Sequence, residues 1–264
     1  MIEMRKTATL FVACFAACAL AFALAGCSSA STEEEEGSTE ASTEEQADED
    51  AGEDTAGVST VETAYQGTVI VSDEGYINSA ATAYTDGAYE AIVTVTDYGS
   101  FTIELDAESA PVSVSNFCSL AENGYYDGLA LYRVVEDFCL QGGTLGNSAS
   151  GSDENLYTIL GEFSDNGVDN ALADTFERGV VAMARSSEEN SASSTFFITL
   201  ADNDTVGASL DGAYAAFGTI DEEGMEVVDA IVEATADKVD DSGMGIIADE
   251  DDMPIIESIE IVEG

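Results

Sequence analysis

The chain has 264 residues, enough for one domain of ordinary size with extensions, and 45% of them are hydrophobic. Its formal net charge is -48, from 54 acidic and 6 basic residues. This excess of acid argues against binding to nucleic acid and to anionic lipid, since both need Lys and Arg to neutralise phosphate. The sequence contains no histidine, which excludes Ser-His-Asp and Cys-His mechanisms and removes the commonest metal ligand.

Residues 1–26 are typical of a secretory signal peptide. Arg5 and Lys6 precede an apolar run over residues 8–25, and the run ends in LAGC, which resembles a bacterial lipobox. The resemblance implies cleavage before Cys27 and lipidation of its thiol, so we expect an extracytoplasmic protein anchored to the cell membrane by acyl chains. An uncleaved transmembrane anchor is the alternative, because the apolar run is nearly long enough to span a bilayer.

Residues 27–57 are predicted to form a disordered acidic linker that follows the lipidated Cys27. Residues 28–57 contain twelve acids, no base and no aromatic residue, so they lack the apolar area that folding requires. We interpret them as a solvated tether, with calcium binding by the acidic run as the alternative. Residues 58–87 form an uncertain extension in which only GTVIV, at 67–71, is typical of a strand.

Residues 88–264 are predicted to form one mainly β domain. Many short strands with two helices favour a closed antiparallel barrel, because closure removes exposed strand edges. Pro111 suits the first turn of the first helix, and Gly124 suits its end. The predicted strands are 89–95, 100–105, 129–135, 138–143, 179–185, 195–200, 213–220 and 255–264; one predicted helix lies within 110–126 and ends near Gly124, and the other is 225–235.

Several blocks of this domain, in order and at near-family spacing, resemble the cyclophilins. They include LYRVVEDFCLQGG at 131–143, RGVVAMAR at 178–185, NSASSTFFIT at 190–199 and LDGAYAAFGTI at 210–220. The resemblance implies an eight-stranded antiparallel barrel capped by two α-helices. It also implies peptidyl-prolyl cis-trans isomerase activity on proline-containing polypeptides, without a cofactor or a metal. For an exported chain we expect a role in extracytoplasmic protein folding.

Arg133 matches the catalytic arginine of the family. The X-Pro amide has a rotational barrier of about 18–20 kcal/mol, because the nitrogen shares its lone pair with the carbonyl group. When the bond twists, that nitrogen becomes pyramidal and basic, and a cationic donor aimed at it favours the twisted state. A guanidinium group keeps its charge and therefore suits this role. A structural ion pair in an acid-rich protein is the alternative.

The resemblance also assigns residues that bind the substrate, and it shows departures from the family. Tyr132, Cys139, Thr195, Ser209 and Tyr214 stand where the family commonly has His, Met, Gln, Trp, and His or Tyr, respectively. We therefore expect isomerase activity with an altered peptide preference. The substrate-binding residues implied are Tyr132, Phe138, Cys139, Gln141, Ala184, Arg185, Ser186, Thr195, Phe197, Leu210 and Tyr214.

Three further questions stay open at the level of sequence. Cys118 and Cys139 are interpreted as buried thiols, although an exported protein permits a disulfide between them. Two other functions compete with the isomerase: a proline-peptide-binding chaperone module with little turnover, and an acidic surface that binds a basic partner. A tethered monomer is the simplest oligomeric state.

Overall fold

The computed structural model of the chain describes residues 59–62, 68–71, 76–79, 84, 88–151, 153 and 156–264. The signal peptide, Cys27 and the acidic linker lie outside these residues, so their predictions stay predictions. The described residues all belong to one compact unit, residues 57–264. Within the described part of the chain, none of the helices combines the length and the apolar character that crossing a membrane requires.

Eight strands form one antiparallel sheet in the order β12-β4-β5-β11-β9-β10-β7-β6. These strands confirm the predicted mainly β domain. A second sheet has the order β1-β2-β3-β8. The strands are β1 (Ser59–Glu62), β2 (Thr68–Val71), β3 (Tyr76–Ser79), β4 (Tyr89–Val95), β5 (Gly99–Leu105), β6 (Arg133–Val135), β7 (Cys139–Gly142), β8 (Thr158–Ile159), β9 (Val180–Met183), β10 (Phe196–Thr199), β11 (Ala216–Thr219) and β12 (Ile256–Glu263).

The large sheet is curled, and β12 and β6 stand at its two ends. Within the described residues no β-ladder pairs β12 with β6, so a barrel closed by strand pairing is not observed. The segment before β6 does approach the start of β12. The Gly128 amide donates to the Ile256 carbonyl at 2.8 Å, and the Leu131 amide donates to the Pro254 carbonyl at 2.9 Å.

Three α-helices occur among the described residues: α1 (Pro111–Glu122), α2 (Asn203–Leu210) and α3 (Glu222–Thr235). Helices α1 and α3 correspond to the two predicted helices, and α2 was not predicted. Helix α2 escaped detection because it is eight residues long and buries only Val206, Gly207 and Leu210, which is too short a pattern for a helical period. Helix α2 ends at Leu210, which the resemblance assigns to the substrate-binding residues.

The core lies between one face of the large sheet and α1. Phe117 on α1 is fully buried, and its ring centroid lies 5.6 Å from Phe196 on β10, 5.2 Å from Tyr126 and 5.1 Å from Phe217 on β11. The contact of Phe117 with Phe196 is edge to face, a geometry that adds to the free energy gained from burial. This packing leaves the opposite face of β6, β7 and β10 for other side chains.

The start of α1 is stabilised from outside the helix. Ala110 provides no side-chain cap. Instead, the carboxylate of Glu162 accepts hydrogen bonds from the amides of Val112 at 2.9 Å and Ser113 at 2.8 Å, and from the Ser113 hydroxyl at 2.7 Å. A negative charge is favourable at this end of a helix dipole. Glu162 is 2% exposed, and its burial raises the pKa of the carboxyl group.

Candidate active site

Three adjacent strands bring Arg133, Gln141 and Phe197 into one row. Arg133 on β6 pairs with Gln141 on β7, and Gln141 pairs with Phe197 on β10. Directly opposed residues in an antiparallel sheet project from the same face. The row continues through Ala182 on β9, which pairs with Phe197. A cation, an amide and an aromatic ring therefore line one strip of the sheet, away from the face that packs on α1.

Arg133 is held in place by neutral acceptors. Its Nε donates to the Met244 carbonyl at 2.8 Å, and its Nη1 donates to Gln141 Oε1 at 2.8 Å and to Cys139 Sγ at 3.4 Å. The residue is only 8% exposed. Hydrogen bonds to a carbonyl, an amide and a thiol orient the guanidinium without cancelling its charge. The site therefore holds a fixed positive charge next to an apolar surface.

Gln141 is oriented by a second hydrogen bond on its other side. Its Nε2 donates to the Tyr132 hydroxyl at 2.8 Å, while its Oε1 accepts from Arg133. Tyr132 is 1% exposed, and its burial raises the pKa of the phenol, so the hydroxyl stays neutral at ordinary pH. Contacts in the folded chain thus connect Tyr132 to the guanidinium through Gln141. A direct contact between Tyr132 and substrate stays a prediction.

Phe197 forms an aromatic cluster at its end of the row. Its ring stacks on Phe176 at a centroid distance of 6.3 Å and meets Tyr214 edge to face at 5.5 Å. The neighbouring Phe196 points to the other face and packs in the core against Phe117. The two adjacent rings therefore lie on opposite faces of the sheet, as neighbouring residues of a strand do. Leu210, from the end of α2, is fully buried.

Arg185 lies between two aromatic rings at the edge of this cluster. The centre of its guanidinium is 5.0 Å from the ring centroid of Phe163 and 4.9 Å from that of Tyr214. Its Nε donates to the Ala213 carbonyl at 2.8 Å, and its Nη1 donates to the Ser186 carbonyl at 3.0 Å. Cation–π contacts and carbonyl acceptors fix this side chain. Arg185 is thus an ordered part of the rim.

The remaining predicted residues lie around the same strip. Phe138 and Thr195 are partly buried, at the ends of β7 and β10. The Ala184 amide donates to the Thr195 carbonyl at 2.9 Å, and the Ser186 amide donates to Ser191 Oγ at 2.9 Å. The fold therefore brings the predicted residues to one region, and their contacts with substrate stay predictions.

The basic residues are divided between the surface and the site. Beyond Lys6 the sequence contains four of them. Arg178 pairs with Asp229 at 2.7 Å and Lys238 pairs with Asp252 at 2.8 Å, both on the surface. The other two, Arg133 and Arg185, both belong to the candidate site. Because the chain has a large excess of acidic residues, these two arginines distinguish the charge of the candidate site from that of the rest of the described surface.

Cys118 and Cys139 are buried, unpaired thiols, as the sequence predicted. Burial raises the pKa of the Cys139 thiol to about 11, and the nearby Arg133 lowers it only in part. Cys139 therefore stays protonated at neutral pH and acts as a neutral neighbour of the guanidinium. The described residues include no group of three or more His, Cys, Asp or Glu that could hold a metal ion.

Sequence reasoning missed the loop that holds Arg133 from behind. The acidic side chains of segment 240–252 are mostly exposed. The middle of this segment, however, packs on β6, since the Val134 amide donates to the Gly245 carbonyl at 2.7 Å and the Ile247 amide donates to the Tyr132 carbonyl at 2.9 Å. Met244 accepts from Arg133 through its backbone carbonyl, which every residue has, so the sequence did not indicate this role. Phe163 and Phe176 were not predicted as site residues, because a single aromatic residue in a sequence ordinarily belongs to the hydrophobic core.

Comparison with known proteins identifies the family. The sequence profile of the cyclophilin type peptidyl-prolyl cis-trans isomerase/CLD family matches residues 91–252. Peptidyl-prolyl cis-trans isomerase A of Dickeya dadantii is 36% identical over 149 residues, which cover 56% of this chain and 74% of that protein. A peptidyl-prolyl cis-trans isomerase of Acinetobacter baylyi is 41% identical over 137 residues, covering 52% and 68%, respectively. The chain therefore belongs to the cyclophilin-type peptidyl-prolyl cis-trans isomerases, a family of enzymes.

Solved structures show a more distant likeness. A cyclophilin type peptidyl-prolyl cis-trans isomerase of Cryptosporidium parvum aligns with a TM-score of 0.49 and 22% identity, covering 67% of this chain and 99% of that one. Another structure of that protein, determined in the presence of the dipeptide Ala-Pro, aligns with a TM-score of 0.48 and 23% identity, covering 66% and 99%. The family assignment rests on the sequence matches.

Proposed function

We propose that this chain catalyses rotation about X-Pro peptide bonds and that Arg133 is its catalytic residue. The planar amide has a barrier of about 18–20 kcal/mol, and uncatalysed isomerisation takes tens to hundreds of seconds. Twisting the bond leaves a lone pair on the proline nitrogen. A guanidinium N–H directed at that nitrogen stabilises the twisted state more than either planar state, which lowers the barrier.

This proposal rests on one observation: the guanidinium group of Arg133 is fixed in the same cross-strand row as Phe197. The Met244 carbonyl, Gln141 Oε1 and Cys139 Sγ accept hydrogen bonds from Arg133, so little reorganisation is needed when the substrate twists. The Phe197 ring offers the apolar contact that a proline ring requires. No step needs a nucleophile, a general base or a metal, which suits a chain without histidine.

Isomerase kinetics on a panel of X-Pro peptides test this function. We expect the full chain to catalyse isomerisation and the Arg133→Ala variant to lose about 10²–10³-fold in kcat/KM, the range for removal of one preorganised donor. Arg178→Ala is the matched control, because it removes a surface arginine paired with Asp229. Peptide binding without turnover in the parent chain would instead identify the proline-peptide-binding module.

We also propose that the protein acts on exported polypeptides while attached to the outside of the cell membrane. The signal-like residues 1–26 and the LAGC sequence, which ends at the predicted lipidation site Cys27, support this location. Cell fractionation tests it: the full chain should sediment with membranes, and Cys27→Ser should release it or leave an unprocessed precursor. Equal membrane association of both proteins, with mature length and no attached acyl chain, would contradict lipid anchoring.

We further propose that the large sheet closes into a barrel through the segments that join β6 to β12. The hydrogen bonds of the Gly128 and Leu131 amides to the Ile256 and Pro254 carbonyls support closure. Hydrogen exchange at these two amides tests it. Closure predicts protection comparable to that of the β4–β5 ladder, whereas rapid exchange would indicate an open seam.

A further inference from the structure

A three-stranded extension precedes the family match and is joined to the domain. Strand β3 pairs in parallel with β8, with Tyr76 opposite Thr158 and Ile77 opposite Ile159. The Leu160 amide donates to the Ile77 carbonyl at 2.7 Å. Ile77 is 4% exposed and belongs to the core. The extension therefore completes a sheet with a strand of the domain.

Tyr84 forms a second attachment of the extension. It is buried, its hydroxyl donates to Glu122 Oε1 at 2.5 Å, and its carbonyl accepts from Ser115 Oγ at 3.2 Å. Its ring also meets Tyr89 edge to face at 4.9 Å. Burial and the Glu122 carboxylate both raise the pKa of this phenol. The extension thus contacts α1 as well as β8.

The other side of β8 contacts the segment that leads to the substrate-binding rim. The Ile159 amide donates to the Ala192 carbonyl at 2.9 Å, and the Gly161 amide donates to Asn190 Oδ1 at 2.9 Å. Between them, Ser191 Oγ accepts from the Ser186 amide. Strand β8 therefore lies between the extension and residues 186–192.

Strand β8 also leads directly to the aromatic part of the rim. Phe163 follows it by four residues, and its ring packs on the Arg185 guanidinium at 5.0 Å. Arg185 packs in turn on Tyr214, and Tyr214 meets Phe197 edge to face. A shift of β8 would move both the Ser186 segment and this stack.

We propose that strands β1–β3 position the substrate-binding rim, so that docking of the extension on β8 is a determinant of peptide affinity. This inference rests on the proposed function, because it assigns the rim to substrate. The extension is a positioning element and touches no reacting atom. Its loss should therefore weaken peptide binding and leave the chemical step, which depends on Arg133, nearly unchanged.

The test compares two full-chain variants that lose buried isoleucine side chains. Ile77→Asp places a carboxylate in the contact with β8 and should undock the extension, since burying an unpaired charge is costly. Ile259→Ala on β12 is the control: Ile259 is 6% exposed and pairs with Val93 on β4, in the sheet that does not contain β3 and β8. Tyr84→Phe is a milder variant that removes one hydroxyl contact.

We expect Ile77→Asp to speed hydrogen exchange at the Leu160 amide and to raise KM at least threefold with kcat within twofold of the parent. Tyr84→Phe should change KM in the same direction by less, and Ile259→Ala should lower Tm without changing KM. For Ile77→Asp, an unchanged KM despite faster exchange would overturn the inference, and so would unchanged exchange at the Leu160 amide. An equal rise of KM in Ile259→Ala would also overturn it. If Ile77→Asp does not fold, Tyr84→Phe decides by the same criteria.

The same variants separate this inference from the proposed function. Absence of turnover in the parent chain contradicts the catalytic proposal alone. In that case the Kd of a fluorescently labelled X-Pro peptide replaces KM. A Kd that rises in Ile77→Asp but not in Ile259→Ala still supports positioning by the extension, and an unchanged Kd overturns it.

Discussion

Arg133 and Gln141 are cross-strand neighbours on β6 and β7, and Arg133 Nη1 donates to Gln141 Oε1 at 2.8 Å. The pair places a neutral acceptor against a catalytic cation. A carboxylate in the same place would bind more tightly and would also neutralise the charge that the twisted amide needs. The choice of an amide over an acid is notable in a chain with 54 acidic residues.

Gln141→Glu tests the importance of that neutrality. The substitution keeps the length of the side chain and puts a negative charge beside the guanidinium, where two opposite charges in a partly buried site attract strongly. We expect kcat to fall at least tenfold while the protein stays folded. Gln141→Ala is the control, because it removes the acceptor without adding charge and should cost less in kcat. Equal losses in the two variants would show that only orientation matters.

Tyr132→Phe tests whether Tyr132 acts through Gln141. Loss of the hydroxyl removes the acceptor of Gln141 Nε2, so the amide is no longer held with its oxygen toward Arg133. We expect a three- to tenfold loss in kcat, with little change in KM. In the Gln141→Ala background the same substitution should have almost no further effect, since coupled residues are not additive. A full additional loss there would indicate that Tyr132 contacts substrate directly.

Gly245→Ala tests the support behind the guanidinium. Gly245 has φ 78°, and a Cβ at this position would collide with the Val134 carbonyl. The neighbouring Met244 carbonyl, which accepts from Arg133 Nε, would then have to move. We expect kcat to fall at least fivefold, together with a lower Tm. Gly243→Ala is the control, since Gly243 also has positive φ, at 74°, but open space around it.

Phe197→Ala and Phe196→Ala should have different effects although the residues are adjacent. Phe197 faces the site row, so its loss should raise KM about tenfold. Phe196 packs on Phe117 and Tyr126 in the core, so its loss should lower the free energy of unfolding by about 3–5 kcal/mol with a smaller effect on KM. Peptide kinetics and chemical denaturation of both variants measure the contrast. Similar effects of the two substitutions on KM would contradict the assignment of faces.

Glu162→Gln tests the buried cap of α1 by its pH dependence. Burial raises the pKa of the Glu162 carboxyl above its unfolded value, so the folded state retains a proton that the unfolded state releases. The contribution of Glu162 to stability should therefore decrease as pH rises through the interval above about 4.3. The difference in free energy of unfolding between the parent chain and Glu162→Gln should fall across that interval. A difference that increases with pH would mean that the amide hydrogen bonds outweigh burial.

The local sequence pattern was sufficient for most of the domain. Alternation of apolar residues located β4, β5 and β12, because a strand that faces the core on one side repeats every two residues, whereas β9 and β10 were located as short apolar runs and are buried at every position. The sequence motif around Arg133, Gln141 and Phe197 indicated the family by itself. Strands β1, β3 and β8 were missed, because their segments STVE, YINS and TI contain only one or two large apolar residues each.

By itself the sequence determined the acid excess, the absence of histidine, the alternating strands and the family motif, since composition and period are local properties of the chain. Only the tertiary structure decided which atoms hold Arg133, that Phe163 and Tyr214 enclose Arg185, and that the extension joins β8. Those contacts connect residues far apart in the chain, as Arg133 and Met244 are, and several use backbone carbonyls that every residue has. Long-range hydrogen bonds of this kind depend on the whole sheet being formed, so local pattern alone does not specify them.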